Sequence, residues 1–362
     1  MKKILLPLTF ALSAQVSAEE QRYVDGARWA FVSDAASTKL AVVDTFTQKH
    51  VDTLSLSAIP TELEVSDLQD LLVYIDGKTP SLYMYDLANE KHTEMPLSFV
   101  PNQIVFHPDG AQLAVGGNDA LVFVMPLDKK IMGTFEDVDS PFSLNFDNGG
   151  YNLYVTEQDS GNTFVYRFHD GHRSQMQLGE GRVSEITLSP DARLGMVAQY
   201  KDNSVYVRDL FMDAEFGKFE MPATPHRPYV SSDSEHIILA ADDGNGVVIN
   251  AWSGEKVRDI KVGANPGALR SGWLETIGIV SSDSALSVFD IAQSTPEKTV
   301  ALNAPLEDVV VVSDSKTLFA TQEKSSSLFV YDIRTAAQLS SIETGLTQPR
   351  HMVMGITNTI CH

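Results

Sequence analysis

One short pattern returns eight times along this 362-residue chain, at intervals of roughly 41 residues. Each copy holds an apolar strand, a polar turn, a second apolar strand often closing on Asp, and a later strand opened by proline. Clear copies run from Phe31-Val32-Ser33-Asp34 to Val42-Val43-Asp44, from Leu153-Tyr154-Val155-Thr156 to Phe164-Val165-Tyr166, and from Leu318-Phe319-Ala320-Thr321 to Phe329-Val330-Tyr331-Asp332. A period of this length with several strands per unit predicts a β-propeller. It replaces the two domains that length alone suggests with one closed ring.

The proline before the last strand of each unit aligns the copies on Pro60, Pro101, Pro141, Val183, Pro225, Pro266, Pro305 and Pro349. The next apolar strand follows every marker but the last at a constant offset, on Tyr74, Val115, Val155, Val197, Leu239, Val280 and Phe319. Between strands sit turn signals such as Asp76-Gly77, Asp109-Gly110 and Asn148-Gly149, which supply the positive φ of tight hairpins. No stretch of helix length shows a 3.6-residue apolar period, so the expected class is all-β. Eight markers predict eight four-stranded blades; seven is the alternative, because the unit around Val247–Asn250 is weakly marked. The first strand, from Trp29, and the last, Met352–Ile356, are expected to complete one blade together and so hide two sheet edges.

Met1-Lys2-Lys3, a short apolar run and Val16-Ser17-Ala18 have the form of a secretory signal peptide cleaved after Ala18. The expected organisation is a signal peptide over 1–18, one propeller over 19–357 and a tail over 358–362. The location is expected to be periplasmic, without membrane insertion. Cys361 is the single cysteine, so no intrachain disulfide forms and a large β core must carry stability. With 48 acidic against 27 basic residues the formal charge is −21, which argues against nucleic acid and anionic membranes and suits cations or basic partners.

Leu40-Ala41-Val42-Val43-Asp44-Thr45, Ser287-Val288-Phe289-Asp290, Phe106-His107-Pro108-Asp109-Gly110 and Leu188-Ser189-Pro190-Asp191 together resemble the repeat of the YVTN-type, YncE-like exported bacterial propellers. The resemblance spans nearly the whole mature chain, and its motif residues are structural, so it implies a fold and leaves function open. Among similar propellers are the eight-bladed d-type-haem propeller of nitrite reductase and its relatives in haem assembly. A covalent c-type haem needs C-x-x-C-H, whereas this chain offers only Thr359-Ile360-Cys361-His362, so none is expected.

Propeller ligands usually sit where the innermost strands begin. The two positions after each marker gather Glu62, Gln103, Glu185, His226, Arg227, Glu307, Arg350 and His351 around one opening. His226 and His351 could hold zinc or another borderline divalent ion, as could Cys361 and His362, and the arginines could bind a carboxylate. The bland alternative is that opposed charges pair across a wet funnel. No nucleophile elbow, zincin motif or phosphate loop occurs. The expected protein is a monomeric, non-enzymatic binding or scaffold propeller that presents its charged mouth to a protein partner or small ligand. Alternatives are a metal- or haem-handling accessory protein using His226 and His351, and a lactonase-like enzyme with Glu62, Glu185 and Glu307 around a divalent ion.

Overall fold

The computed structural model describes residues 23, 26 and 28–355, apart from 67, 119, 136, 137 and 141. Residues 1–18, where a signal peptide is expected, Pro141 and the Cys361-His362 pair lie outside the described residues. Thirty-two strands form eight four-stranded antiparallel sheets arranged as the blades of a ring, so the propeller is eight-bladed. Blade one is Lys49–Ser55, Lys39–Asp44 and Trp29–Asp34, closed on the axis by the last strand, Pro349–Met354. Blades two to eight follow in chain order. Their innermost strands are Glu62–Ser66, Pro101–Phe106, Phe142–Phe146, Thr187–Leu188, Tyr229–Val230, Leu269–Gly272 and Leu306–Val311. The marker positions therefore open the strands beside the axis, and the weakly marked unit is a regular blade whose third strand is Asn245–Asn250.

The second and third strands of a blade read as unbroken apolar runs because both of their faces are buried between neighbours. Leu71–Ile75 is buried at every position, and its alternation divides it between two cores. Leu72 and Tyr74 pack with Phe31, Leu40 and Val42 of blade one, whereas Leu71, Val73 and Ile75 pack with Ile104, Leu113 and Val122 of blade three. Eight such clusters exist, one for each seam between adjacent blades. Outer strands such as Lys49–Ser55 alternate exposed and partly buried residues, with lysine at the open edge.

The Asp that closes the third strand has a local task. Oδ1 of Asp44 accepts the backbone N–H groups of Phe46 and Thr47 at 2.9 and 3.0 Å. Asp86, Asp209, Asp290 and Asp332 cap their outer hairpins in the same way, and Asn250 replaces Asp in blade six. The side chain thus satisfies backbone groups that the turn removes from the ladder.

Ring closure has its own clasp. Asp34 Oδ1 accepts Gln348 N at 2.8 Å and Ala36 N at 3.1 Å, while Oδ2 accepts Thr347 N at 3.2 Å and Ser37 Oγ at 2.6 Å. Burial opposes ionisation of this carboxyl, but the bonds from Ser37, Ala36, Gln348 and Thr347 hold its pKa below the usual value. Two segments more than 300 residues apart meet on this one side chain.

Candidate ligand-binding channel

Each innermost strand pairs with the second strand along one edge and turns its other edge to the axis. Backbone groups on that free edge need partners. Side chains from a neighbouring blade supply them. Glu62 Oε2 accepts Ile104 N at 2.9 Å, Ser143 Oγ accepts Ile186 N at 3.2 Å, and Asp308 Oδ2 accepts Met352 N at 2.8 Å. Thr187 Oγ1 donates to Pro228 O at 2.8 Å, Arg227 Nη2 to Ile186 O at 2.7 Å, Arg270 Nε to Val309 O at 3.1 Å, and Gln103 Nε2 to Phe142 O. The polar residues two and four positions beyond the markers are therefore latches between blades as well as channel lining.

The opposed charges at the mouth pair across adjacent blades. Arg227 Nη1 lies 2.5 Å from Glu185 Oε2, and Arg350 Nε lies 3.4 Å from Glu307 Oε2. In blade eight a bulge between Leu306 and Asp308 shifts the register, so Asp308 takes the latch position and Glu307 is left exposed at the rim. Glu62, Glu185 and Glu307 lie on blades two, five and eight, each with a separate partner. Among the described residues, three metal-capable donors converge within 4.8 Å only at Asp233, Glu235 and His236, in the inner hairpin of blade six, away from the channel.

His226 and His351 stand on blades six and one, three steps apart around the ring. Burial lowers both imidazole pKa values; for His351, the Arg350 charge acts in the same direction while Asp308 and Glu307 oppose it. Both rings are thus biased towards the neutral, electron-donating form near neutral pH. His226 Nδ1 reaches Arg227 O at 3.4 Å, and the His351 ring makes no hydrogen bond among the described residues.

Two further groups occupy the channel. Burial raises the Glu62 carboxyl to about 8, helped by the charges on Glu64 and, across the axis, Glu185. Burial alone raises Glu64 to about 7. These residues, two apart on one strand, share a face and form an acidic wall in which Glu62 is largely, and Glu64 about half, protonated at neutral pH. Arg270 of blade seven is held against the opposite wall by Val309 O and by its own strand, Nη1 donating to Leu269 O at 2.8 Å. Its guanidinium makes no ion pair among the described residues. Glu64 and Arg270 fall two residues beyond the positions chosen from sequence, and the period-two alternation of an innermost strand was the signal that could have found them. Burial also raises the Tyr229 hydroxyl, which bonds Ser271 Oγ at 3.0 Å in the seam between blades six and seven. One cleft of about 770 Å³ lies elsewhere, at the rim between blades five and six, where Lys218 and Lys256 are already paired with Asp202 and Asp259.

No protein-family profile matches the chain, and no curated protein matches it in sequence. Solved structures match the fold. The chain is similar to a dihydro-haem d1 dehydrogenase, NirN, in complex with DHE, at 14% identity and a TM-score of 0.73, covering 91% of this chain and 75% of that one. It is also similar to a functionally unknown protein from Desulfotomaculum acetoxidans, at 13% identity and a TM-score of 0.62, covering 91% and 99% of the two chains. At such identities the likeness carries the eight-bladed architecture alone.

Proposed function

We propose that this is a non-catalytic binding propeller of the periplasm that takes a small anionic ligand into its axial channel. The observation that carries this reading is Arg270. Its guanidinium is fixed by two backbone carbonyls, stands in the channel and lacks a carboxylate partner among the described residues. A charge held in a partly desolvated site without its counter-ion is poised for an anionic ligand. The Glu62 and Glu64 carboxyls, pushed up to about 8 and about 7, repel an anion less than fully ionised acids would, and each can donate a hydrogen bond when protonated. No nucleophile–base pair accompanies them in the site described, so binding is a better reading than turnover.

The test is direct. Wild-type protein and Arg270→Gln would be isolated in parallel from their native compartment, and their small-molecule contents compared by mass spectrometry. Wild type should carry an anionic compound that the variant lacks. Equal loading of both proteins, or an anion on neither, would reject the reading.

The histidines favour a second version, in which the ligand is a metal ion or a metal-bearing anion such as a haem and the protein is an accessory to its handling. Neutral, solvent-touched His226 and His351 have ring nitrogens to offer, and the fold likeness to a haem d1 enzyme makes the version worth testing. If His226→Ala combined with His351→Ala leaves zinc and haem binding as in wild type, this version fails while the anion reading stands.

A further inference from the structure

The face opposite the channel mouth carries an apolar crescent across three neighbouring blades. Antiparallel order puts the first-to-second and third-to-fourth strand turns of every blade on this face. In blades five to seven these turns hold Phe211, Met212 and Trp252, exposed by 71%, 75% and 61%, and then Trp273 and Leu274, exposed by 38% and 80%. Isolated apolar residues on a surface are ordinary, whereas a contiguous group marks an interaction site.

The crescent is held rigidly. Arg193 stacks 4.2 Å from the Trp252 ring, donates through Nη2 to Ala251 O in the same hairpin, and reaches Asp209 at 3.8 Å. Asp209 in turn caps the Phe211-Met212 turn with bonds of 3.0 and 2.9 Å. One buried arginine thereby joins the hairpins of blades five and six.

Blade seven adds backbone strain. Trp273, Leu274 and Glu275 have φ of 49°, 56° and 60°, three consecutive non-glycine residues in the left-handed region. The corresponding turns of other blades use a single such residue, among them Asp70, Gly110, Gly150, Ala192, Ser234 and Ser315. Each non-glycine residue in this region costs about 1–3 kcal/mol and persists only where its surroundings impose it. Here they do: Glu275 Oε2 accepts Ser232 N of blade six at 2.9 Å, and Leu274 N donates to Ser315 Oγ of blade eight at 3.2 Å. Both neighbouring blades hold a strained loop whose effect is to keep Leu274 in water.

The rim sets the sign of the partner. Glu215, Asp233, Glu235 and Glu255 are exposed around the crescent and make no ion pair among the described residues, whereas Arg193 is buried and faces Asp191 and Asp209, and Arg334, 4.6 Å from the Trp273 ring, is neutralised by Asp332 at 2.7 Å. We propose that the crescent docks a partner protein through a cationic amphipathic segment, with apolar side chains against Trp252 and Leu274 and lysines or arginines on the acidic rim. A second copy of this chain would bring the same acidic rim and the same −21 charge, which disfavours self-pairing.

The test uses the full mature protein and three synthetic peptides: an amphipathic leucine–lysine helix, a scrambled peptide of the same composition, and a leucine–glutamate helix. Binding is read by tryptophan fluorescence and calorimetry. The amphipathic cationic peptide should bind at least about tenfold tighter than the scrambled one, the scale of one hot-spot contact, and the glutamate helix should not bind. Trp252→Ser with Leu274→Ser should remove that preference while circular dichroism and melting stay those of wild type. Glu235→Gln with Asp233→Asn should weaken the same peptide and reduce its salt dependence. Equal affinity for the amphipathic and scrambled peptides, no binding of either, or a peptide preference that survives Trp252→Ser/Leu274→Ser would overturn the proposal. A dimer in sedimentation that this double variant dissolves would also overturn it, by showing that a second copy covers the crescent.

Discussion

Replacing Glu62 with Gln should remove a pH dependence that the channel builds into the stability of the protein. In the folded ring the Glu62 carboxyl titrates at about 8 against an ordinary 4.5, because burial penalises its charge and Glu64 and Glu185 add repulsion. The folded state therefore keeps a proton that the unfolded chain has lost over that interval. Folding then takes up a proton, and stability falls as pH rises from about 5 to about 8, levelling once both states are ionised. Moving from 4.5 to about 8 at about 1.4 kcal/mol per pH unit sets a ceiling of roughly 5 kcal/mol. Channel water and the share belonging to Glu64 reduce this to about 2–3 kcal/mol. Gln resembles the protonated acid and can still accept from Ile104 N, so at pH 5 the variant should match wild type within about 0.5 kcal/mol. At pH 8 it should be the more stable protein by about 2–3 kcal/mol. Urea midpoints measured from pH 5 to 8 on both proteins decide the matter, and the general self-repulsion of a −21 chain cancels in the difference. Parallel pH profiles for the two proteins would refute the reasoning.

Other expectations follow from the same structure. Asp34→Ala should cost about 2–4 kcal/mol, because four hydrogen bonds at the clasp lose their acceptor; Asp86→Ala, at a mostly exposed cap, should cost about 1 kcal/mol, and urea midpoints at unchanged m-value compare them. Because the Asp34 pKa is lowered, its contribution is present above about pH 4 and disappears as pH falls below, so Asp34→Asn should flatten the acid limb of the stability curve. Phe319→Ala should cost about 3–5 kcal/mol by leaving a cavity at the seam between blades eight and one. Gly150→Ala should cost about 1–3 kcal/mol, since the position has φ of 68° and a Cβ there would strike the His107 ring; thermal melting reports both.

The blades were legible because the physics that makes them repeats. Strands buried on both faces must be apolar at every position, so Leu71–Ile75 and its counterparts stand out from the alternating outer strands, and proline marks the entry to every innermost strand but that of blade five, where Val183 stands. The site was less legible because one residue type serves two purposes. Glu62 and Gln103 look like ligand donors in sequence, yet both also satisfy the free edge of an adjacent innermost strand, a need visible only once the ring closes. The bulge in blade eight exchanged Glu307 for Asp308 without any sign in the proline spacing. Arg270 was overlooked because its character lies in lacking a partner, and an absent partner leaves no motif. Trp273-Leu274-Glu275 did leave one: large side chains occupy the place where other units spell Pro-Asp-Gly or Asn-Gly-Gly.

The clasp at Asp34 also orders events in time. The first blade waits for its innermost strand until Pro349–Met354 has been synthesised, when every other blade already has all its strands. A nascent or truncated chain therefore carries an arc of seven complete blades with an unfinished one at its end. Completion is a single late event read out by one carboxylate. A ring built this way tolerates change in its loops but not the loss of Pro349–Met354, so that one strand inspects everything made before it.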